Sequence, residues 1–74
     1  MGAPDLSVVV PVFNEEATIP ELHRRLVAAV AGLGDCELIY VDDGSSDGSW
    51  AQLLALTDHP GRLRLLRLSR KAAK

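Results

Sequence analysis

The chain has a single cysteine, Cys36. One thiol closes no internal disulfide, so a disulfide framework is excluded and a reducing, cytoplasmic setting is the simpler reading. It also lacks a basic excess: the formal net charge is -2 and the pI is near 5.5. Nucleic-acid surfaces carry the opposite balance, so no nucleic-acid partner is expected. Long apolar runs are missing as well. The longest, residues 26–31, reads LVAAVA, far short of the roughly 20 residues that a membrane span needs. The opening MGAPDLS has no charged leader followed by an apolar core, so no signal peptide is expected. Its Met-Gly start lacks the Ser or Thr that myristoylation wants at position 6, where Leu6 stands. Internal repeats and a linker are absent too.

What remains is globular. Hydrophobic residues make up 47% and charged residues 24% of the 74 positions, which suits a folded domain and excludes a disordered tail. A chain this short forms one unit, burying only about 60% of the surface that its unfolded form exposes.

Residues 6–12, LSVVVPV, hold a β-branched run typical of a strand covered on both faces of a parallel sheet. Pro11 has no N–H to donate and belongs at the strand's end. Residues 13–16, FNEE, make a polar loop in which Asn14 shapes the turn. A helix is predicted over residues 18–33. Thr18 and Glu21 fit a capping box, and Pro20 falls in the first turn. Ile19, Leu22, Leu26, Val30 and Leu33 form one apolar stripe. His23, Arg24 and Arg25 lie off it and read as surface, as does His59; neither histidine has a ligand-spaced partner for zinc. Gly32 and Gly34 stop the helix.

A second strand is predicted over residues 37–41, ELIYV, with Cys36 as a small core residue at its start. The next seven residues, DDGSSDG, are turn chemistry. A second helix over residues 49–57 turns Trp50, Leu53 and Leu54 inward, with Asp47 as its cap. His59-Pro60-Gly61 breaks the chain, and residues 62–68, RLRLLRL, suggest a third strand whose arginines mark a wetter face. The tail SRKAAK has no apolar anchor and is expected to fray. The order β-α-β-α-β argues for an α/β fold with parallel strands and right-handed crossovers.

Open α/β sheets bind ligands at the carboxyl ends of their strands. If the first two strands are neighbours, residues 11–16 and 42–48 meet there and bring Phe13, Glu15, Asp42, Asp43 and Asp47 to one edge. Carboxylates accept hydrogen bonds from a base or a ribose, an aromatic ring packs on a base, and Gly44 and Gly48 admit close approach. The acidic cluster repels phosphate, so a diphosphate would lie further along, beside a metal. Glu16 reads as solvated or as a helix-dipole partner. DDGSSDG alone reads equally well as a plain turn and cap; the companion motif PVFNEE favours the site.

SVVVPVFNEE followed after one helix by ELIYVDDGSSDGS resembles the opening of family 2 glycosyltransferases, above all the dolichyl- and undecaprenyl-phosphate sugar transferases. The likeness covers residues 6–70. It implies a three-layer, Rossmann-like sheet that is the first part of a GT-A fold. By resemblance Pro11, Phe13 and Glu15 line the base and ribose pocket, Asp42 contacts the base, and Asp43 sits beside it. The implied donor is a UDP or GDP sugar. The implied reaction transfers the sugar with inversion to an acceptor such as polyprenyl phosphate, at the cytoplasmic face of a membrane in the intact protein. The family holds its divalent metal (Mg or Mn) with an Asp-x-Asp motif after a later strand, and no such triplet occurs in this chain. The family's general base also lies further on, so no catalytic residue and no metal ligand is assigned here. Where members continue with Asn and a glycine loop after LSR, this chain reads KAAK. Residues 1–74 therefore read as a truncated N-terminal part, inactive alone, with unpaired sheet edges that invite self-association.

Two other functions compete. A receiver-type phospho-acceptor domain also places an acidic pair after a strand, but needs an Asp ending a later one, where this chain has Leu68-Ser69-Arg70. A non-catalytic remnant or interaction module is the third reading, and is compatible with the first.

Overall fold

A computed structural model describes residues 3–56 and 62–68. The elements run β1 (Leu6–Val12), α1 (Ile19–Val30), β2 (Cys36–Asp42), α2 (Ser49–Leu54) and β3 (Arg62–Arg67). The three strands form one parallel sheet in the order β1-β2-β3. Leu6 stands opposite Cys36, Val12 opposite Asp42, and Asp42 opposite Arg67. The second helix is shorter than expected, and the predicted end at Thr57, the His59-Pro60-Gly61 break and the SRKAAK tail lie outside the described residues.

Strand alternation gives each sheet face its own residues. One face carries Val10, Val12, Tyr40, Leu63 and Leu65, and both helices pack on it through Ile19, Leu22, Leu26, Trp50 and Leu53. Consecutive crossovers of one hand, stepping the same way across the sheet, leave their helices on the same side. The other face is open among the described residues. Val9 is 61% exposed and Leu66 43%. The cover expected on both faces of the Val8–Val10 run is therefore present on one only, and the two layers described are a sheet and one set of helices.

At its amino end the open face is polar. Ser7 Oγ donates to Glu37 (2.9 Å), and Arg64 lies 3.5 Å from the same carboxylate, so one row of polar contacts crosses all three strands. Arg62 adds an ion pair with Asp35 at 3.1 Å. The predicted wetter face of β3 thus corresponds to Arg62 and Arg64, both exposed.

Four local expectations need correction. The capping box does not form: Thr18 makes no side-chain cap and donates instead to the Glu15 carbonyl at 3.1 Å. Glu21 turns to Arg24 and Arg25, at 2.6 and 2.7 Å, and these guanidiniums, Arg24 first, hold its carboxyl below the usual range. Two cations within reach outcompete one backbone N–H, although such exposed pairs add little stability. Leu33 lies beyond the helix and is exposed, and Leu54 faces solvent, because α1 ends at Val30 and only the Trp50–Leu53 side of α2 meets the sheet. His23 is buried, not on the surface. Its Nδ1 lies 2.7 Å from the hydroxyl of Tyr40, the most central aromatic of the sheet. A polar side chain enters the core when its hydrogen bond is met there, and Tyr40 meets it. Cys36, as expected, is buried at the start of β2.

Candidate functional site

Because β1 and β2 are parallel neighbours, their carboxyl ends lie side by side, and the loops leaving them are in contact. Asp43 N–H donates to the Val12 carbonyl at 2.9 Å and extends the ladder beyond the strands. Asn14 then turns the chain with φ +49°, a left-handed conformation that Asn tolerates better than most residues. Its side-chain oxygen accepts Ser46 N–H at 2.8 Å and Asp47 N–H at 3.4 Å. So Asn14 does shape its own turn, and it also binds the facing loop.

Two serines tie the loops together in parallel. Asn14 N–H donates to Ser45 Oγ at 2.8 Å, and that hydroxyl donates to Asp42 Oδ1 at 2.5 Å. One residue on, Glu15 N–H donates to Ser49 Oγ at 2.8 Å, and Ser49 donates to Asp47 Oδ1 at 2.6 Å. Each relay runs from a backbone donor on the first loop, through a buried hydroxyl, to a carboxylate on the second. Charge-assisted bonds of this kind are the stronger sort. The Ser49 hydroxyl is the chief cause that holds the Asp47 carboxyl below its ordinary range. Asp47 also accepts the Ser49 N–H at 2.9 Å, so it serves the first turn of α2 from just outside it. Glu16 is exposed and accepts Gly48 N–H at 3.0 Å at that same helix start, so the solvated and dipole-partner readings meet in one side chain.

The five expected site residues separate into two groups. Pro11, Phe13, Glu15 and Asp43 are exposed, Phe13 at 48%. Asp42 is 0% exposed. Its Oδ1 accepts both Ser45 N–H (3.0 Å) and Ser45 Oγ–H. Its Oδ2 has no hydrogen-bond partner among the described residues. Among the described residues the cation paired with it is Arg67, with Nε at 3.8 Å, and that guanidinium stacks 5.2 Å over the Trp50 ring. Asp42 is thus turned inward and Asp43 outward, as alternation along an extended chain requires. Gly44, at φ +77°, follows Asp43 and leaves the backbone bare of a side chain there.

Beside this edge runs a shallow groove of about 560 Å³, between residues 14–18 and Pro20 on one side and Asp47 and Gln52 on the other. It shares Glu15 with the expected site, but not Pro11, Phe13, Asp42 or Asp43. Among the described residues no three His, Cys, Asp or Glu side chains come together in a way that could hold a metal ion. The described residues alone therefore build no cage of protein ligands, and none of them is assigned to the divalent ion that the resemblance implies. Ser45, Ser49 and Arg67 were not singled out from sequence; serines in a DGSSDGS run look like turn residues, and only the fold reveals which are buried.

Comparison with known proteins sets this edge in context. The description "Glycosyl transferase family 2" matches residues 7–74. An undecaprenyl-phosphate 4-deoxy-4-formamido-L-arabinose transferase of Sodalis glossinidius is 51% identical over 57 residues, 76% of this chain and 18% of that protein. The enzyme of the same description from Pseudomonas aeruginosa matches equally, over 17% of its length. The chain thus spans less than a fifth of these curated relatives. Among solved structures, glucosyl-3-phosphoglycerate synthase from Mycobacterium tuberculosis superposes with a TM-score of 0.60 at 35% identity, over 85% of this chain and 21% of that one, and was determined with UDP. The same enzyme was also determined with Mn2+, UDP-glucose and phosphoglyceric acid. Strand order, paired loops and family match agree with one another, in place of the receiver-type reading: the chain belongs to glycosyl transferase family 2.

Proposed function

We propose that this chain is the nucleoside-binding part of an inverting glycosyltransferase that takes a UDP or GDP sugar and passes the sugar to polyprenyl phosphate. The observation that carries the reading is the pair of clipped loops at the carboxyl edge of β1 and β2, presenting Pro11, Phe13, Glu15 and Asp43 on ordered backbone. Polyprenyl phosphate as acceptor is supported by the relatives described as undecaprenyl-phosphate transferases. UDP as the nucleotide is supported by the solved complexes of the mycobacterial enzyme.

In this reading Asp43 accepts a hydrogen bond from the base, since a carboxylate is an acceptor only. Glu15 accepts from the ribose hydroxyls. Phe13 and Pro11 give the base an apolar surface, and Gly44 lets it approach the backbone. The resemblance implies Asp42 as the base contact, but with its side chain fully buried and bound to Ser45 we give it the part of holding the loop and pass the base contact to Asp43. The concentration of carboxylates turns the diphosphate away from this edge. The chain's own residues bind and orient the nucleoside; a metal and a general base belong to residues beyond those described. We assign the intact protein to the cytoplasmic face of a membrane. Among the described residues no helix is long and apolar enough to cross one. Self-association through the open edges of β1 and β3 belongs to the same proposal.

Calorimetry with UDP and with GDP, each with and without manganese, tests the reading. Weak binding that ignores manganese and disappears in Asp43→Asn supports it. A folded chain that binds neither nucleotide refutes it, and turnover of a nucleotide sugar by the chain contradicts its assignment as a binding part only.

A further inference from the structure

We infer that Arg67 is a positioning residue for the nucleoside edge: it supplies the counter-charge for the buried Asp42 and, through Asp42 and Ser45, sets the Asp43-Gly44 turn. The inference rests on the function proposed above. It starts from the unpartnered oxygen. Asp42 is fully buried, one oxygen is saturated by Ser45, and the other has no hydrogen bond among the described residues. A carboxylate in that position is costly unless a charge stands near it. The charge comes from the third strand. Arg67 is the register partner of Asp42, on the same face, with Nε 3.8 Å from the free oxygen.

Two contacts keep the guanidinium there. Leu68 N–H donates to the Asp42 carbonyl at 2.8 Å and fixes the end of β3 against β2. The Trp50 ring, 5.2 Å beneath, restrains the guanidinium plane. The arginine is half exposed, so it pays little desolvation while it faces a carboxylate that has lost all of its water. The consequence reaches the site because the same carboxylate grips Ser45 twice, and Ser45 receives the Asn14 N–H from the other loop. Arg67 touches no ligand in this account. It acts on the ends of both loops by way of one buried carboxylate. Lysine would keep the charge but not the plane over Trp50.

The test uses the chain itself with four variants: Arg67→Met, which keeps an apolar stem on Trp50, Arg67→Lys, Asp42→Asn, and Asp42→Asn combined with Arg67→Met. Two quantities are read for each, the amide NMR positions of Asp43, Gly44 and Ser45, and the Kd for UDP and GDP. Arg67→Met is expected to move those three amides and to weaken nucleotide binding about five- to tenfold, near 1–1.4 kcal/mol at RT ln of that factor. Arg67→Lys is expected to restore both in large part. In the Asp42→Asn background, where no buried charge awaits a partner, adding Arg67→Met is expected to change neither. The inference is overturned if Arg67→Met weakens binding equally in both backgrounds, or leaves the amides and the affinity as they were. If the unaltered chain binds no nucleotide, the proposed function fails, and the amides alone then decide the coupling: a Ser45 amide that responds to Arg67→Met keeps Arg67 as the residue that sets the turn, and one that does not overturns it. A dispersed spectrum in every variant separates all of these from loss of the fold.

Discussion

Tyr40 offers a stability test that can be read on one chromophore, since it is the chain's one tyrosine. Its ring is fully buried in the middle of the sheet and its hydroxyl faces His23 Nδ1 at 2.7 Å. Burial disfavours the phenolate and pushes the hydroxyl's pKa from 10 up to about 12. The folded state therefore holds its proton where the unfolded chain has lost it. That stabilisation is complete below pH 10 and is lost as pH rises through 12. At about 1.4 kcal/mol per pH unit, the loss comes to about 2–3 kcal/mol. A domain of this length commands about 4–11 kcal/mol in total, so alkaline pH should bring it close to unfolding. Tyr40→Phe removes the titration and, at neutral pH, costs about 1–3 kcal/mol because His23 loses this partner. Urea midpoints of both chains at intervals from pH 7 to 12 give the difference directly, and groups common to both cancel. The advantage of the tyrosine should hold steady to pH 10 and then shrink. Tyrosinate absorbance that rises at pH 10 while the far-ultraviolet dichroism stays native would refute the reasoning, as would an advantage unchanged at pH 12.

Two further expectations concern the loops. Asn14→Ala puts a side chain with no local acceptor at φ +49° and frees the Ser46 amide; a loss of about 2 kcal/mol in denaturant midpoint is expected, whereas Asn14→Gly, which keeps the conformation, should lose less. A methyl group at Gly48 would stand 2.5 Å from the Glu16 carboxylate and displace it from the Gly48 N–H. Gly48→Ala and Glu16→Ala should each cost about 0.5–1 kcal/mol, and the double variant no more than one of them, because both remove the same contact. Additive losses would show that the contact is not shared.

The order of elements was legible from sequence because each depends on local signals. The β-branched run of β1, the apolar stripe of α1 and the glycine- and aspartate-rich turn after β2 announce themselves within a few residues. Helix ends were less legible: Leu33 and Leu54 carry the right apolar character but fall outside the contacts that the sheet offers. His23 was misread for a deeper reason. A histidine beside two arginines looks solvated, and only a tyrosine seventeen residues away in a parallel strand makes it a core residue. The site divides in the same way. Pro11, Phe13, Glu15 and the aspartate pair are visible as motifs, but which aspartate faces outward depends on strand phase, and two buried serines and a cross-strand arginine depend on pairings that a linear pattern does not encode.

The central place of β2 has a kinetic consequence. Its pairing with β1 joins Leu6 to Cys36, and its pairing with β3 joins Glu37 to Arg62; neither neighbour can form a ladder without it. Every strand pairing among the described residues must first close a long loop, so the entropy of closure comes before any reward from pairing. During synthesis β1 emerges with no strand to pair with until β2 follows. The transition state for folding should therefore contain β2 with one flanking crossover helix already seated, and substitutions at Leu38 or Tyr40 should slow folding more than those at Leu63 or Leu65, which join later.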